Sequence, residues 1–273
     1  MKLLFNLLGV LFILSTLQLA EAQALFPVIK NSNEILRYLE RIPQNSIIFV
    51  DIDDTIITPE SKTFRRAPYN KLIDGIKKHK SKYKNYEEIV SNWRLQRKPM
   101  LIDPNWPDTL LALKKKYRLY GLTKMDTGKF GNINSMEEWR YKELQSLGIT
   151  FSNDNTVPQV SINNASFYRG LFITGANSKS QTILYYLKYL EAKTFVMIDD
   201  REEHLKDIKQ FCDNNSIKFI GILFNGLVKF KDAPKPEVTL FQKNYLIEHA
   251  QWLEDEQVEK IIETLKNGIE NGN

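Results

Sequence analysis

The chain has 273 residues, 42% of them apolar, and carries 38 Lys and Arg against 33 Asp and Glu for a net charge of +5. That length and apolar content support a substantial core in one domain with an insertion, or in two small domains. Cys212 is the only cysteine, which excludes any intrachain disulfide whatever the compartment, and its place in an apolar-periodic segment reads as a buried small hydrophobe rather than a nucleophile.

Residues 1 to 22 read as an address. Lys2 gives a short positive region, residues 3 to 14 (LLFNLLGVLFIL) an apolar one, and residues 20 to 22 (AEA) a small-x-small cleavage signal. The apolar run is shorter than the roughly 20 residues of a membrane span. A cleaved signal peptide leaves a mature chain starting near Gln23; the other reading is an uncleaved N-terminal anchor. Export without disulfides and a Lys- and Asn-rich composition suggest a periplasmic or secreted bacterial protein.

Five apolar, β-rich runs predict strands at residues 46–52 (SIIFVDI), 117–123 (YRLYGLT), 170–175 (GLFITG), 194–199 (TFVMID) and 219–224 (FIGILF). Near-continuous apolar runs suit strands buried on both faces of a parallel sheet. Between the first two runs, residues 60–107 predict a small helical insertion, in which Tyr86, Ile89, Val90 and Trp93 space as an amphipathic helix. Within it, residues 61–98 hold twelve Lys or Arg against three acids, a local surplus of +9. The surplus is either a solvated helical face or a basic surface for an anionic substrate or anionic membrane, with nucleic acid disfavoured.

Ser135 and Glu138 predict a capping box before a helix running to Leu147, and residues 152–166 predict a polar loop or hairpin. Ser178 and Gln181 predict another capping box. Ile183, Leu184, Leu187 and Leu190 form one helical stripe, and Leu205, Ile208 and Cys212 another. Residues 245–266 read as helical and packed on the core. Strands alternating with helices predict an α/β doubly wound parallel sheet with its site at the carboxyl ends of the strands.

Those ends carry the chemistry. The first run ends by placing Asp51, Asp53 and Asp54 within four positions, the second ends in Thr123, the fourth in Asp199 and Asp200, and Lys179 opens the helix after the third. Like charges so close repel one another. Carboxylates around a hard cation, beside a lysine and a helix N-terminus that receive an anion, make a phosphate and Mg²⁺ site.

The stretch DIDDT at 51–55, followed in order by Thr123, Lys179 and the Asp199–Asp200 pair, resembles the four motifs of the haloacid dehalogenase superfamily over roughly residues 46–225. The C-terminal QKNYLIEHAQWLEDEQV also resembles the tail of a bacterial family of uncharacterised exported proteins in that superfamily. The resemblance implies a Rossmannoid core with a cap after the first strand. It implies Asp51 as nucleophile, Asp53 as general acid and base, and Thr123 and Lys179 as phosphoryl ligands. Mg²⁺ is implied on Asp51, the backbone carbonyl of Asp53, and Asp200, with Asp199 supporting the metal shell; which of the pair ligates directly stays open. Asp54 shapes the loop.

Taken singly, these residues have plainer readings. Asp200 with Glu203 also spells a helix capping box, and Lys179 a solvated helix residue. The acid cluster is not an EF-hand, because Ile56 and Lys62 stand where Gly and Glu are needed; GANSKS is not a P-loop, because Ile173 and Ser178 replace glycines. The histidines, at 79, 204 and 249, show no HExxH spacing and read as incidental surface or packing residues. The expected function is an exported Mg²⁺-dependent phosphomonoesterase acting on a phosphorylated small molecule. The alternatives are a binding or host-interaction protein with little turnover, or a phosphotransferase or phosphomutase.

Overall fold

A computed structural model describes residues 25–65, 80–153 and 155–270. The expected leader at 1–22 lies outside the described residues, as do Arg66, Lys71 and His79 of the basic segment. No helix among the described residues is long and apolar enough to cross a membrane.

The chain enters through strand β1 (Val28–Ile29), a short helix α1 (Ile35–Leu39) and β2 (Ile47–Val50). The insertion follows, between β3 (Ile57–Pro59) and β4 (Pro99–Leu101), with helix α2 (Tyr86–Gln96) inside it. Then come α3 (Trp106–Lys114), β5 (Arg118–Thr123), α4 (Met136–Ser146), β6 (Ser161–Ile162), β7 (Ala165–Tyr168) and β8 (Leu171–Ile173). The remainder is α5 (Lys179–Tyr186), β9 (Thr194–Asp199), α6 (Glu202–Asn214), β10 (Lys218–Phe224), α7 (Pro236–His249) and α8 (Asp255–Glu270).

The main sheet runs β1-β10-β9-β2-β5-β8-β7-β6, parallel from β1 through β8, with the β6–β7 hairpin added antiparallel. This is a mixed α/β fold with a mostly parallel central sheet, and all five predicted strands are present. β2 is central because it is buried on both faces. Ile47 and Phe49 join one core cluster, where Phe49 packs at 5.4–6.1 Å against Phe195, Phe172 and Tyr120. Ile48 and Val50 join the opposite cluster, with Ile35, Leu39, Trp106 and Leu110 of α1 and α3. Alternate side chains leave a strand on opposite sides, so one apolar run fills two cores.

Helix starts follow the local chemistry. Ser178 and Gln181 form the reciprocal box expected, with Gln181 N donating to Ser178 Oγ at 3.1 Å and Ser178 N to Gln181 Oε1 at 2.9 Å. At α4 half of the box is present: Glu138 N donates to Ser135 Oγ, while the Glu138 side chain pairs with Lys142. Leu184 leaves the predicted stripe and is 52% exposed. The buried face follows Ile183, Tyr186 and Leu190, at the helical steps of three and four residues, and Leu184 lies off it; the chain tightens into a 3₁₀ turn at Leu187–Tyr189 only after that residue. Cys212 is buried as expected, and burial pushes its thiol up to about 12.

The C-terminal expectation holds except for a break. Residues 245–266 do pack on the core, where Leu246 and Trp252 join the cluster around Trp106, but they are helical only in two pieces. α7 ends where Ala250 turns left-handed (φ 56°), and α8 starts after a five-residue break. The pair braces the insertion: Ser61 Oγ and Lys62 N donate to Asp255 at 2.6 and 3.0 Å, and Phe64 packs between Trp93 and Trp252. The solvated basic face needs correcting. Arg65 is buried and donates to the carbonyl of Glu60 at 2.6 Å, and the side chains of Arg94 and Arg97 are only 10% and 6% exposed. Lys80, Lys82 and Lys84 do face solvent.

Candidate active site

The strand order decides what meets Asp51. β2 lies between β9 and β5, so the residue after Val50 falls beside Asp199 on one side and near Thr123 on the other. Asp51 N continues the ladder, donating to Ile198 O at 2.9 Å. The chain then turns sharply. The amides of Ile56 and Ile57 both donate to Ile52 O, Asp54 takes a left-handed φ of 68°, and Trp106 Nε1 donates to Thr55 O at 2.9 Å. Aspartate tolerates that backbone region better than most side chains. Asp54 therefore shapes the loop, as expected, and Thr58 Oγ1 donates to its carboxylate at 3.4 Å.

Lys179 reaches the cluster from the first residue of α5. Gly175, with φ +58°, makes the turn before it; a Cβ there would lie 2.1 Å from Asn164 O. Lys179 Nζ donates to Asp51 Oδ1 at 2.5 Å and to Asp199 Oδ2 at 2.6 Å, with no solvent exposure of its side chain. Burial disfavours its charge, yet Asp199 and Asp51 overcome that and hold its pKa above the usual lysine range. It is thus no solvated helix residue.

The four carboxylates are in different states. For Asp51, burial pushes the carboxyl up to about 6 against the attraction of Lys179, with Asp199 and Asp53 adding to the rise. Thr55 Oγ1 donates to its other oxygen at 3.1 Å. Asp199 is saturated: Lys179 holds Oδ2, Arg201 N donates to Oδ1 at 2.9 Å, and His204 Nδ1 lies 3.0 Å from Oδ1. Burial opposes its charge, but Lys179 and His204 outweigh it and hold the carboxyl below the usual range. Asp200 is the opposite case. Its carboxylate has no hydrogen-bond partner among the described residues, and burial, then Asp51, Asp199 and Asp54, push it up to about 9. Asp53 would also be raised by burial, but Arg140 and then Arg97 hold it below the usual range.

Oxygens of Asp51, Asp199 and Asp200 lie within 4.8 Å of one another. A half-buried Asp200 beside Asp51 fits a hard cation, since it offers oxygens that no donor among the described residues satisfies. Asp199 has already spent its oxygens on Lys179, Arg201 and His204. The capping-box reading of Asp200 with Glu203 is overturned: Arg201 is the residue at the N-cap, and no side chain caps α6.

Part of this cluster lines a cavity of about 330 Å³ under the insertion. Asp51, Asp53, Thr123 and Asp200 reach it, whereas Lys179 and Asp199 sit beneath as support. Thr123 Oγ1 donates to Asp53 Oδ2 at 3.4 Å. Sequence reasoning missed four residues here. Arg140 on α4 holds both oxygens of Asp53 at 3.0 and 2.8 Å, and Arg97 lies 3.8 Å from Asp53. Arg94 and Arg97 stood within the basic segment but were read as part of a surface. His204, read as incidental, contacts Asp199; its position one helical turn past Asp200 is the signal that could have marked it.

The chain belongs to a family described as "Protein of unknown function (DUF2608)", whose model matches residues 28–259. It is also similar to the Uncharacterized protein RP296 of Rickettsia prowazekii (strain Madrid E), at 27% identity over 244 residues, covering 85% of this chain and 88% of that protein.

Proposed function

We propose that the chain is a Mg²⁺-dependent phosphomonoesterase of the haloacid dehalogenase type, exported by its N-terminal leader to act in the periplasm or outside the cell. The observation that carries the reading is Asp51 held between Lys179 on one side and Asp200 on the other, with Asp53 two residues on. That arrangement supports in-line attack by one carboxylate while a cation balances its neighbours.

Asp51, the carbonyl of Asp53, and Asp200 would hold the ion, with Asp199 locking Lys179 in place. When bound, Mg²⁺ supplies charge neutralisation that lets a phosphate approach these carboxylates. Asp51 attacks phosphorus and forms an aspartyl phosphate, breaking the bond to the leaving oxygen. Lys179 acts from beneath, through the Asp51 carboxylate to which it donates, offsetting negative charge there, and the Thr123 hydroxyl holds a phosphoryl oxygen. Asp53 hands a proton to the leaving oxygen and later takes one from the attacking water. Because Arg140 favours the ionised form of Asp53, the substrate's own anionic oxygens must compete for that guanidinium before Asp53 can carry the proton.

The test is phosphate release from a panel of phosphomonoesters, with Mg²⁺ or with chelator, beside an Asp51→Asn control. Metal-dependent release absent from the control supports the reading. A folded protein that binds Mg²⁺ and releases nothing from any ester sinks it, and a binding protein of the same fold takes its place. Phosphotransfer is told apart by an added alcohol intercepting the phosphoryl group. The exposed Lys80, Lys82 and Lys84 support a further docking role on an anionic membrane, checked by co-sedimentation with acidic vesicles.

A further inference from the structure

Three guanidinium groups enter the cavity from two separate pieces of chain. Arg94 and Arg97 come from the end of α2 in the insertion, and Arg140 comes from α4. They are fixed rather than trailing. Glu143 accepts from Arg97 Nε and Nη2 at 2.9 and 3.0 Å and from Arg140 Nη1 at 2.7 Å, while Arg94 pairs with Asp126 at 2.9 Å. Trp139 stands among all three, with its ring 5.9, 5.3 and 4.9 Å from the guanidinium carbons of Arg94, Arg97 and Arg140. Burying three such cations is costly, and apolar residues could close the junction as well. Planar forks locked by a carboxylate and by aromatic faces are instead suited to bind an anion.

Donors remain to do so. Arg97 Nη1 has no acceptor among the described residues, and the buried indole N–H of Trp93, which lines the same cavity, has none either. The arginines also lie on a particular side. Arg140 and Arg97 approach Asp53, whereas Lys179 approaches Asp51. If Asp51 attacks and Asp53 serves the leaving oxygen, the guanidinium groups surround the leaving group. We infer that Arg94, Arg97 and Arg140 form a second anion subsite, so that the substrate is a small phosphomonoester whose leaving group carries its own carboxylate or second phosphate. This rests on the phosphatase reading for the side assignment. The cavity of about 330 Å³ is at the small end for ligand sites and keeps the substrate compact.

The test compares matched esters differing by one acidic group: a phosphomonoester, its carboxylated counterpart and its bisphosphate counterpart. The expected result is a kcat/KM at least about tenfold higher for one of the doubly acidic members. Which member wins names the anion. In Arg94→Gln that preference falls to near one, and in Arg97→Lys, which keeps charge but loses the fork, it falls severalfold. Equal kcat/KM across the wild-type series, or a preference untouched in both variants, overturns the subsite. A second arm needs no turnover: calorimetric binding of phosphoglycolate against methyl phosphate to Asp51→Asn protein. Tenfold tighter phosphoglycolate binding, lost when Arg94→Gln is added, upholds the subsite even if no ester is hydrolysed, in which case only the phosphatase reading falls. Equal binding of the two probes overturns the subsite whatever the turnover.

Discussion

Arg140 holds Asp53 by both carboxylate oxygens, at 3.0 and 2.8 Å, across 87 residues of sequence, and keeps it ionised although burial works the other way. The same guanidinium serves Glu143, so α4 and the loop after β2 are tied through one side chain. Replacing Arg140 with Gln removes the fork from Asp53, whose side chain is 40% exposed and so partly screened by water, and one of the bonds to Glu143; it is expected to lower stability by about 1–3 kcal/mol at neutral pH. Asp53 has a lowered pKa, so its share of that stability is present above the unfolded aspartate value of about 3.9 and is lost as pH falls below it. Urea melts of both proteins at pH 7 and pH 3.5 check this. A gap between them that does not shrink at the lower pH goes against the assignment.

Metal-free protein is expected to lose stability as pH rises from about 5 to 9. Asp200, pushed up to about 9, and Asp51, pushed up to about 6, both bind protons more tightly folded than unfolded. Their contribution is full below the unfolded aspartate value of about 3.9 and is lost as pH rises from there through each folded value, the reverse of the sign for Asp53 and Asp199. Thermal melts in chelator should show Tm falling across that range, and Mg²⁺ should flatten the fall. Asp200→Asn should raise the chelated Tm at pH 8 by roughly 2–8 °C and abolish the response to Mg²⁺. A chelated Tm that climbs with pH contradicts the account.

Lys179 is the internal counter-ion of the cluster. Lys179→Met is expected to cost about 3–5 kcal/mol, because Asp51 and Asp199 are left buried with their charges unpaired. Denaturant midpoints with and without Mg²⁺ separate the two roles of the residue. Partial recovery of stability by the ion, with phosphate release still absent, is the expected pattern.

The brace on the insertion predicts long-range effects. Trp252→Ala is expected to cost about 3–5 kcal/mol through the cavity left against Phe64, and Asp255→Ala about 1–3 kcal/mol through its lost bonds to Ser61 and Lys62. Limited proteolysis reads where the loosening falls. Cleavage between residues 60 and 98 should accelerate in both variants, and cleavage confined to the C-terminal tail runs against the brace.

The sheet was legible because parallel strands bury both faces and so write continuous apolar runs, and the strand-end residues were legible because each closes such a run. The same logic explains the misses. A period of 3.6 does not show that α5 tightens at Leu187, nor that Ala250 breaks the C-terminal helix into a pair. Charge counting placed Arg94 and Arg97 on a surface, since nothing in a run of basic residues says which ones turn inward.

By itself, the sequence determined that Asp51, Asp53, Thr123, Lys179, Asp199 and Asp200 share one end of a parallel sheet, because strand polarity is written locally in each run and its successor. Only the tertiary structure decided their states. The strand order put Asp199 and Lys179 against Asp51, left the Asp200 carboxylate without a donor among the described residues, and brought Arg140 to Asp53. Burial and charge pairing depend on which distant segments meet, and a carboxylate's chemistry is set by those neighbours rather than by the residues beside it in the chain.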